Sequence, residues 1–371
     1  MFKIVKTFKR IVPLCFSNEQ ELICYRRGTI CKLNLEEQKV EPLAKLPFSW
    51  KHNIGAYSRI LTRLMRLDAR YGVKLDKNKY IVVRDGVLYE VDESRRSCST
   101  GFRMLRGTRP LNIVYVDVKG FDNALYFGEY FGNKTDPVAI YKRVAEDQWE
   151  KVYEFTSGEI GHIHNLIPDK KNNCIWILTG DFGKAAAIWM AKNNFSQVTP
   201  IIRGDQSCRA CVAFPFAGGL IYATDTPFSK NSLRMLTLDE GEWKSFPLQD
   251  INGSAVYSCC YRNVFLFSTV VENNGGEPLL RKVFTLKRGN GIIENSCFIY
   301  KVDSENKLTV VGKNAKDLLP FFLFQFGAMC FPTGKNDTEY LPVYNIATWK
   351  HDLSLVLYKL ENEEDYSVEF E

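Results

Sequence analysis

The sequence lacks the short motifs that mark several common enzyme classes. It has no GxxxxGKS/T phosphate-binding loop, no GxGxxG between a strand and a helix, no GxSxG nucleophile turn and no HExxH zinc motif. Each of these motifs holds backbone amides, a nucleophile or metal ligands in a fixed local geometry. Their absence disfavours nucleotide-driven and serine-hydrolase chemistry.

Long hydrophobic runs are also missing. The richest apolar stretch, residues 318–331, is shorter than the ~20 residues that a membrane-spanning helix needs. The N-terminal segment MFKIVKTFKRIVPLCF is basic and amphipathic, but its longest uninterrupted apolar run is too short for the core of a signal peptide. We therefore expect a non-secreted, soluble protein with a cytoplasmic location.

No strong excess of one charge is present. The chain has 49 lysines and arginines against 43 aspartates and glutamates, a formal net charge of +6. Proteins dedicated to nucleic acids concentrate their positive charge on one surface, and this sequence shows no such concentration. We expect no nucleic-acid partner, while an acidic oligosaccharide or polysaccharide remains compatible with this charge.

The eleven cysteines do not form a metal or disulfide framework. Cys208 and Cys211 make a single CxxC, and no second CxxC or Cys/His pair stands at zinc-ribbon spacing. Disulfide frameworks are typical of much shorter secreted chains than this one of 371 residues. The pattern predicts reduced, mostly buried thiols.

Short β-type runs bounded by Gly, Asn and Asp dominate the sequence. Asp85-Gly86, between two alternating runs, is the strongest hairpin signal. Three consecutive four-strand units of roughly 40 residues begin at His162, Arg209 and Ser254, a period typical of propeller blades. We predict an all-β fold, a single β-propeller over residues 1–371 with seven four-stranded blades, or six as the alternative. The strands from Leu14 to Leu46 would make one blade, closed by a C-terminal strand.

One segment, residues 53–72, predicts an amphipathic helix inserted in the propeller. Its apolar face would hold Ile60, Leu61, Leu64, Met65 and Leu67, and its basic face Arg59, Arg63, Arg66 and Arg70. One interpretation is a helix that caps the β core and leaves a solvated basic face. The other is a helix on an anionic membrane, contacting it through Arg59, Arg63 and Arg66.

Two segments resemble the Asp-box, the S-x-D-x-G-x-x-W turn between the third and fourth strands of a blade. In IYKRVAEDQWEKVYEF only Trp149 matches, whereas TLDEGEWKSFPL has Asp239, Gly241 and Trp243 with one residue fewer. The chain therefore resembles the BNR-repeat, sialidase-like propellers. The resemblance implies a propeller related to glycan-processing enzymes and glycan-binding proteins. The Arg-Ile-Pro signature of sialidases is absent, which disfavours hydrolysis of sialic acid.

His162 and His164 are the leading candidates for chemistry. Side chains at i and i+2 of a strand share a face, so both imidazoles would point into the channel if HIHNLIP is the innermost strand of its blade. They could bind a divalent metal together with a third ligand, or one could act as general acid or base while the other orients it. β-Propeller polysaccharide lyases use both solutions. The alternative is a pair of structural, hydrogen-bonded histidines.

Acidic residues recur at the end of the presumed second strand of successive blades. These residues are Glu129, Asp181, Asp225 and Glu272. Glu129 and Asp181 adjoin the histidine blade and are candidate catalytic partners, while Asp225 is a candidate for substrate binding. The alternative is a carboxylate that caps a turn by accepting backbone N–H groups.

Arginines and a glutamine before the next blade could hold an anionic sugar. Arg209 and Gln206 are candidate substrate-binding residues because Arg grips a carboxylate with two parallel hydrogen bonds. Arg103, in a basic loop, is a further candidate. The main hypothesis is an enzyme of the glycoside hydrolase or polysaccharide lyase type that acts on an acidic glycan. The alternative is a non-catalytic propeller that recognises glycans or acts as a scaffold in polysaccharide biosynthesis or modification, and that is peripheral to the membrane.

Overall fold

The fold is an all-β, seven-bladed β-propeller, as the repeats predict. The structure, a computed structural model, describes residues 2–55, 57–69, 71–274, 278 and 283–360. Its strands form seven four-stranded antiparallel sheets. The strands are β1 (Phe2–Lys9), β2 (Val12–Asn18), β3 (Glu21–Arg26), β4 (Thr29–Asn34), β5 (Lys39–Lys45), β6 (Tyr71–Asp76), β7 (Lys79–Arg84), β8 (Val87–Asp92), β9 (Ser97–Arg103), β10 (Ile113–Val116), β11 (Ala124–Gly128), β12 (Val138–Ala145), β13 (Gln148–Phe155), β14 (His162–Asp169), β15 (Cys174–Gly180), β16 (Ala187–Lys192), β17 (Gln197–Arg203), β18 (Ala210–Phe216), β19 (Gly219–Thr224), β20 (Asn231–Asp239), β21 (Glu242–Ile251), β22 (Ser254–Tyr261), β23 (Val264–Val270), β24 (Ser296–Val302), β25 (Leu308–Ala315), β26 (Ala328–Cys330), β27 (Tyr340–Ile346) and β28 (Ser354–Leu360).

Six sheets take their four strands in chain order, and one is completed from the other end of the chain. The sheets β2–β5, β6–β9, β10–β13, β14–β17, β18–β21 and β22–β25 are continuous, whereas β1 pairs antiparallel with β28 beside β27 and β26. The prediction that a C-terminal strand closes the Leu14–Leu46 blade is therefore wrong, because the N-terminal strand closes the last blade instead. The exposed lysines of FKIVKTFK suit this edge position, since charged side chains protect an open sheet edge.

The described residues divide into two compact units. Unit 1 contains the described residues within 1–84, 89–99 and 252–371. Unit 2 contains those within 85–88 and 100–251. Unit 2 holds the sheets β10–β13, β14–β17 and β18–β21. The expectation of a single domain over residues 1–371 stays a prediction.

Strand β15 is held in unit 2 by apolar contacts on both of its faces. Ile175 and Ile177 belong to one core with Phe155, and Trp176 and Leu178 belong to another with the residues of β18 to β20. This alternation follows from the period of two in a strand. All seven residues of β15 are buried, so the segment that follows it begins from a fixed point.

The predicted helix over residues 53–72 is wrong in its bounds. Two short helices, α1 (Trp50–Gly55) and α2 (Arg59–Met65), occupy its first part, and strand β6 begins at Tyr71. The Ser58 side chain caps α2 by accepting from the Leu61 N–H at 3.2 Å. Arg66, at φ 53°, ends it in the left-handed conformation. Arg70 lies outside the described residues.

The orientation of α2 differs from the predicted one, although Arg59 and Arg66 are exposed and Leu67 is buried as predicted. Arg63 is fully buried, while Ile60, Leu64 and Met65 are each more than 40% exposed. The Arg63 guanidinium bonds the Asp317 carboxylate and the Phe324 carbonyl oxygen, which explains how a charge is accommodated there. Both partners are more than 250 residues away in the chain, so the local sequence gives no sign of them.

The remaining helices are short. Among the described elements they include α3 (Phe321–Phe324) and two 3-10 turns, Gly183–Ala185 and Gln206–Cys208. Among the described residues, no helix has the length and apolar character needed to cross a membrane. All eleven cysteines are thiols outside any disulfide bond, and seven of them are buried.

Candidate functional site

The site forms at the start of strand β14, where a β-bulge contains one of the two histidines. His162 pairs with Gly180 and Ile163 with Thr179, but Asn165 pairs with Leu178, so His164 is the extra residue of the bulge. Both imidazoles are buried, and their Nε2 atoms lie 2.9 Å apart. The predicted common direction of the two side chains is therefore present, although a bulge interrupts the regular strand between them.

The other ring nitrogens fix the tautomers of both histidines. His162 Nδ1 lies 3.2 Å from the Phe131 carbonyl oxygen, and His164 Nδ1 lies 2.9 Å from the Ala210 carbonyl oxygen. A carbonyl oxygen only accepts, so each Nδ1 carries a hydrogen and donates it. When both rings are neutral, each Nε2 atom then carries a lone pair and no hydrogen, and the two lone pairs face each other.

Asp181 adds a third acceptor to the same point. It directly follows β15, and its Oδ1 lies 3.4 Å from His162 Nε2 and 3.3 Å from His164 Nε2. Burial raises the pKa of the Asp181 carboxyl, but hydrogen bonds from the imidazoles when their Nε2 carries a hydrogen, together with the charge of Arg209, outweigh this and hold the pKa well below its usual range. The carboxylate is therefore ionised, and we call His162, His164 and Asp181 the imidazole cluster.

A glycine makes this close approach possible. A Cβ atom placed on Gly180 would overlap the ring atoms of His164. No other residue type has room beside the imidazole at this position in β15. Gly180 and Asp181 therefore both contribute to the cluster. Gly180 leaves room for the His164 ring, and Asp181 places a carboxylate beside its Nε2.

A second layer of charged groups supports the cluster. Arg209 Nη2 lies 3.2 Å from Asp181 Oδ1, and Arg209 Nε lies 3.4 Å from Asp225 Oδ2. The Cys211 thiol donates to Asp225 Oδ2 at 3.1 Å. Burial raises the pKa of Cys211 well above its usual range, and the neighbouring Asp225 raises it further, so the thiol stays protonated.

Cys211 occupies the position in its blade that His164 occupies in the preceding one. The pairing of β18 with β19 skips Cys211 between Ala210 and Val212, as the pairing of β14 skips His164. The backbone carbonyl that holds His164 belongs to Ala210, the residue before Cys211. The sequence alone did not reveal this equivalence, because a bulge position carries no residue signature.

Two groups of potential metal ligands share His164. His162, His164 and Asp181 form one group, and His164, Cys211 and Asp225 form the other; within each group the ligand atoms lie within 4.8 Å of one another. The first group fits a divalent metal well. In the neutral rings the two Nε2 atoms carry no hydrogen, and the carboxylate is ionised, so all three ligand atoms can bind a cation. The backbone carbonyls that accept from the Nδ1 atoms orient both rings, as the outer hydrogen-bond partners of metal-binding histidines do.

Aromatic residues that sequence reasoning did not single out border the cluster. The Tyr130 ring meets the His162 ring edge-on at 4.6 Å between centroids. Burial raises the pKa of the Tyr130 hydroxyl, and the positive charge of Arg109 opposes that rise. Phe182, directly after Asp181, is 59% exposed and lies 5.7 Å from the Phe228 ring.

The remaining predicted site residues divide into two sets. Gln206 supports the cluster, because its Nε2 donates to the Asp181 carbonyl at 2.8 Å and its Oε1 accepts from Thr226 Oγ1 at 2.6 Å. Glu129 is instead paired with Arg106 and accepts from the Ala139 N–H. Arg103 is exposed, and no described contact joins it to the cluster. Glu272 belongs to unit 1.

The structure thus brings together six of the eight predicted residues: His162, His164, Asp181, Gln206, Arg209 and Asp225. Arg209 does not reach towards solvent as a free grip for a sugar carboxylate. It is buried and its charge faces Asp181 and Asp225. Its role in the site is therefore to hold Asp181 ionised and in place.

Comparison with known proteins identifies the fold. No protein-family model and no curated protein matches the chain. An oligogalacturonate lyase from Vibrio parahaemolyticus is similar in structure, with 11% identity and a TM-score of 0.55 over 97% of this chain and 92% of that one. The CNH domain of AfRom2 has 5% identity and a TM-score of 0.55 over 98% and 99%. A chain of the mitotic checkpoint complex has 10% identity and a TM-score of 0.54 over 97% and 96%.

At these identities the likeness is one of fold. It agrees with the propeller architecture read from the seven sheets. No family match supports the Asp-box resemblance. The chain has the β-propeller fold, in common with solved proteins that include an oligogalacturonate lyase.

Proposed function

We propose that the chain acts on an acidic oligosaccharide at the imidazole cluster, with the polysaccharide lyase reaction as the first candidate. One observation carries this proposal: two Nε2 lone pairs and the Asp181 carboxylate converge at one point with no hydrogen among them in the neutral state. Such a point attracts a cation, either a proton or a divalent metal. The structural similarity to an oligogalacturonate lyase supports an acidic sugar as the substrate class.

The first form of the chemistry uses the pair as a base. At 2.9 Å between the two Nε2 atoms, one hydrogen can be shared between the rings as a hydrogen bond. The carboxylate of Asp181 stabilises the imidazolium that forms, as a buried carboxylate does beside a catalytic histidine. In the lyase reaction the base removes the proton from the carbon next to the uronate carboxylate. A carbon–carbon double bond forms, the glycosidic C–O bond breaks, and the leaving oxygen takes up a proton.

The second form places a divalent metal at the same lone pairs. His162, His164 and Asp181 would hold it, and a bound metal would neutralise the carboxylate of the sugar. Here Arg209 and Gln206 position Asp181, from its side chain and its backbone carbonyl respectively. The exposed Phe182, next to Asp181, offers an apolar surface for a sugar ring.

The test combines product analysis with metal titration. Purified protein, treated with a chelator and then supplied with Mn²⁺, Zn²⁺ or Ca²⁺, is incubated with a panel of uronate-containing oligosaccharides, and unsaturated products are followed by ultraviolet absorbance. We expect His164→Ala to lose at least a hundredfold in rate and His351→Ala, a histidine of unit 1, to match the wild type. Metal-dependent recovery selects the second form, and chelator-resistant activity selects the first. The lyase proposal is rejected if the whole panel gives no unsaturated product under any of these conditions.

The second candidate function is non-catalytic recognition of an acidic glycan. The burial of both imidazoles favours it, because only the Asp181 side chain of the cluster is substantially exposed. In that case the same panel would bind to immobilised protein without any product, and His164→Ala would abolish the binding. Binding that His164→Ala leaves intact would contradict both candidates.

Two further expectations remain part of the proposal. The turns that contain Glu146 and Gly241 join the third and fourth strands of their blades, where sialidase-like propellers carry the Asp-box. This position supports the proposed relation to BNR-repeat propellers. The cytoplasmic location stays a prediction from the sequence.

A further inference from the structure

The surface around helices α1 and α2 in unit 1 is unusually apolar and carries no acid of its own. Residues 42–67 include no aspartate or glutamate, but they contain five lysines and arginines. Exposed apolar side chains in this segment are Phe48, Trp50, Tyr57, Ile60, Leu64 and Met65, which we call the α1–α2 face. Trp50 is 66% exposed and Tyr57 75%.

The outward orientation of these side chains is enforced from inside. Arg63 is anchored to Asp317 and to the Phe324 carbonyl, and Thr62 Oγ1 donates to the Gly55 carbonyl at 2.6 Å. Ile60 and Leu64, one turn apart, therefore share the side of α2 away from these anchors. A rotation of α2 that buried Ile60 and Leu64 would break the bonds that Arg63 makes to Asp317 and to the Phe324 carbonyl.

Helix α3 extends the apolar surface. Arg66 Nη2 donates to the Phe322 carbonyl at 3.2 Å, so this part of α3 lies beside the end of α2. Phe322 and Phe326 are each at least 40% exposed. Residues 318–331, which include α3, contain no charged residue.

A basic cavity adjoins the same helix. It has a volume of about 290 Å³, and its lining includes Lys9, Arg10, Arg59, Trp349 and His351. Arg59 is the first residue of α2, and Arg10 Nη1 donates to Thr62 Oγ1 at 3.1 Å, so the cavity and the α1–α2 face share one helix. Asp352, the carboxylate in the lining of this cavity, accepts a hydrogen bond from Arg59. Arg59 is already paired with Asp352 and also lies 3.4 Å from Asp317, so the excess positive charge of the lining comes from Lys9 and Arg10, and this excess suits a bound anion.

We propose that the α1–α2 face docks on an anionic membrane surface. The apolar side chains would enter the boundary between headgroups and acyl chains, where tryptophan and tyrosine are favoured, and the basic cavity would receive a lipid phosphate. Each basic group near such a surface strengthens binding roughly fivefold. This surface corrects the sequence-based version, because the contact is made through the apolar residues and Arg59 and Arg66, whereas Arg63 is buried.

The test is co-sedimentation of the full chain with vesicles. Phosphatidylcholine vesicles are compared with vesicles that also contain phosphatidylglycerol, at low and high salt. We expect binding to the anionic vesicles only, weakened by salt. The double variant Ile60→Asp/Leu64→Asp should lose more than tenfold in binding. Lys9→Glu changes two units of charge and should lose about 25-fold.

Matched controls separate docking from general effects. Leu105→Asp changes a 78% exposed leucine of unit 2, and Lys171→Glu changes an exposed lysine of unit 2; both should bind like the wild type. All variants should keep the wild-type melting temperature, because the changed side chains are exposed. Equal loss in the controls, or equal binding to neutral vesicles, overturns the proposal. A third outcome also overturns the proposal: the wild type is a dimer in size-exclusion chromatography, Leu64→Asp is a monomer, and neither binds vesicles. That result would assign the α1–α2 face to contact with a second copy of the chain.

Discussion

The charge cluster beneath α2 gives the sharpest prediction about stability. Asp317 is bonded by Arg63, accepts from Lys316 Nζ at 2.7 Å and accepts from the Leu319 N–H at 3.1 Å. Arg63 is 0% exposed and Lys316 3%. The change Asp317→Asn keeps the shape of the side chain but leaves these two cations buried without their shared anion.

The expected loss is large because burial prevents water from replacing the carboxylate. Removing one partner of a buried ion pair costs about 3–5 kcal/mol in the free energy of unfolding. The matched control is Glu294→Gln, which removes a carboxylate from the surface pair with Lys313, whose side chains are 45% and 51% exposed. A pair of that kind contributes about 0–1 kcal/mol.

The pH dependence has a definite sign. Burial raises the pKa of Asp317, but the bonds from Arg63 and Lys316 outweigh it and lower the pKa below its ordinary value. A carboxyl with a depressed folded-state pKa contributes stability above its unfolded pKa of about 3.9 and loses it as pH falls through the folded value. The difference between wild type and Asp317→Asn should therefore be complete at pH 7 and shrink below about pH 4.

Urea unfolding followed by circular dichroism measures this difference. We expect the midpoint of the Asp317→Asn variant to fall by several times the shift of Glu294→Gln at pH 7. The reasoning fails if the two variants unfold at the same urea concentration. It also fails if the deficit of Asp317→Asn is unchanged at pH 3.

Two predictions concern the blade that carries the imidazole cluster. Gly180→Ala should displace the His164 imidazole and reduce metal or glycan binding at least tenfold, while the circular dichroism spectrum stays native. The control Gly132→Ala, where a Cβ meets open space, should bind as the wild type does. Normal binding by Gly180→Ala would contradict the packing argument. Asp169→Ala should cost about 1.5–3 kcal/mol in the free energy of unfolding by urea, because it removes the carboxylate oxygen that accepts from the buried Trp176 Nε1 at 2.9 Å. A cost below about 0.5 kcal/mol would show that the bond is not needed.

The blade architecture was predictable because it depends on local patterns that repeat. Each blade shows alternating or apolar runs with turn residues between them, and Asp85-Gly86 indeed takes positive φ at both positions. The closing strand was not predictable in the same way. The segment FKIVKTFK reads as an edge strand, but pairing it with β28 requires knowledge of which sheet lacks a fourth strand.

The candidate site was predictable in its histidines and in Asp181, but its partners were not. Spacing along one strand placed His162 and His164 on a common face, and the strand end placed Asp181 nearby. The bulges at His164 and Cys211 depend on how β14 and β18 pair with their neighbours, which composition does not encode. Glu129 follows the same strand-end pattern as Asp181, yet Arg106 in the preceding loop pairs with it instead.

Helix α2 shows where periodicity stops being informative. A period of 3.6 residues tells which side chains share a face, and that part of the prediction holds for Ile60 and Leu64. Which face points inward depends on the partners that the rest of the fold supplies. Asp317 and the Phe324 carbonyl supply the partners that a buried Arg63 needs, and Ile60 and Leu64 are then left on the exposed side. A protein that keeps such a surface in water gains nothing from it unless another surface covers it, which is the physical reason to test a bilayer first.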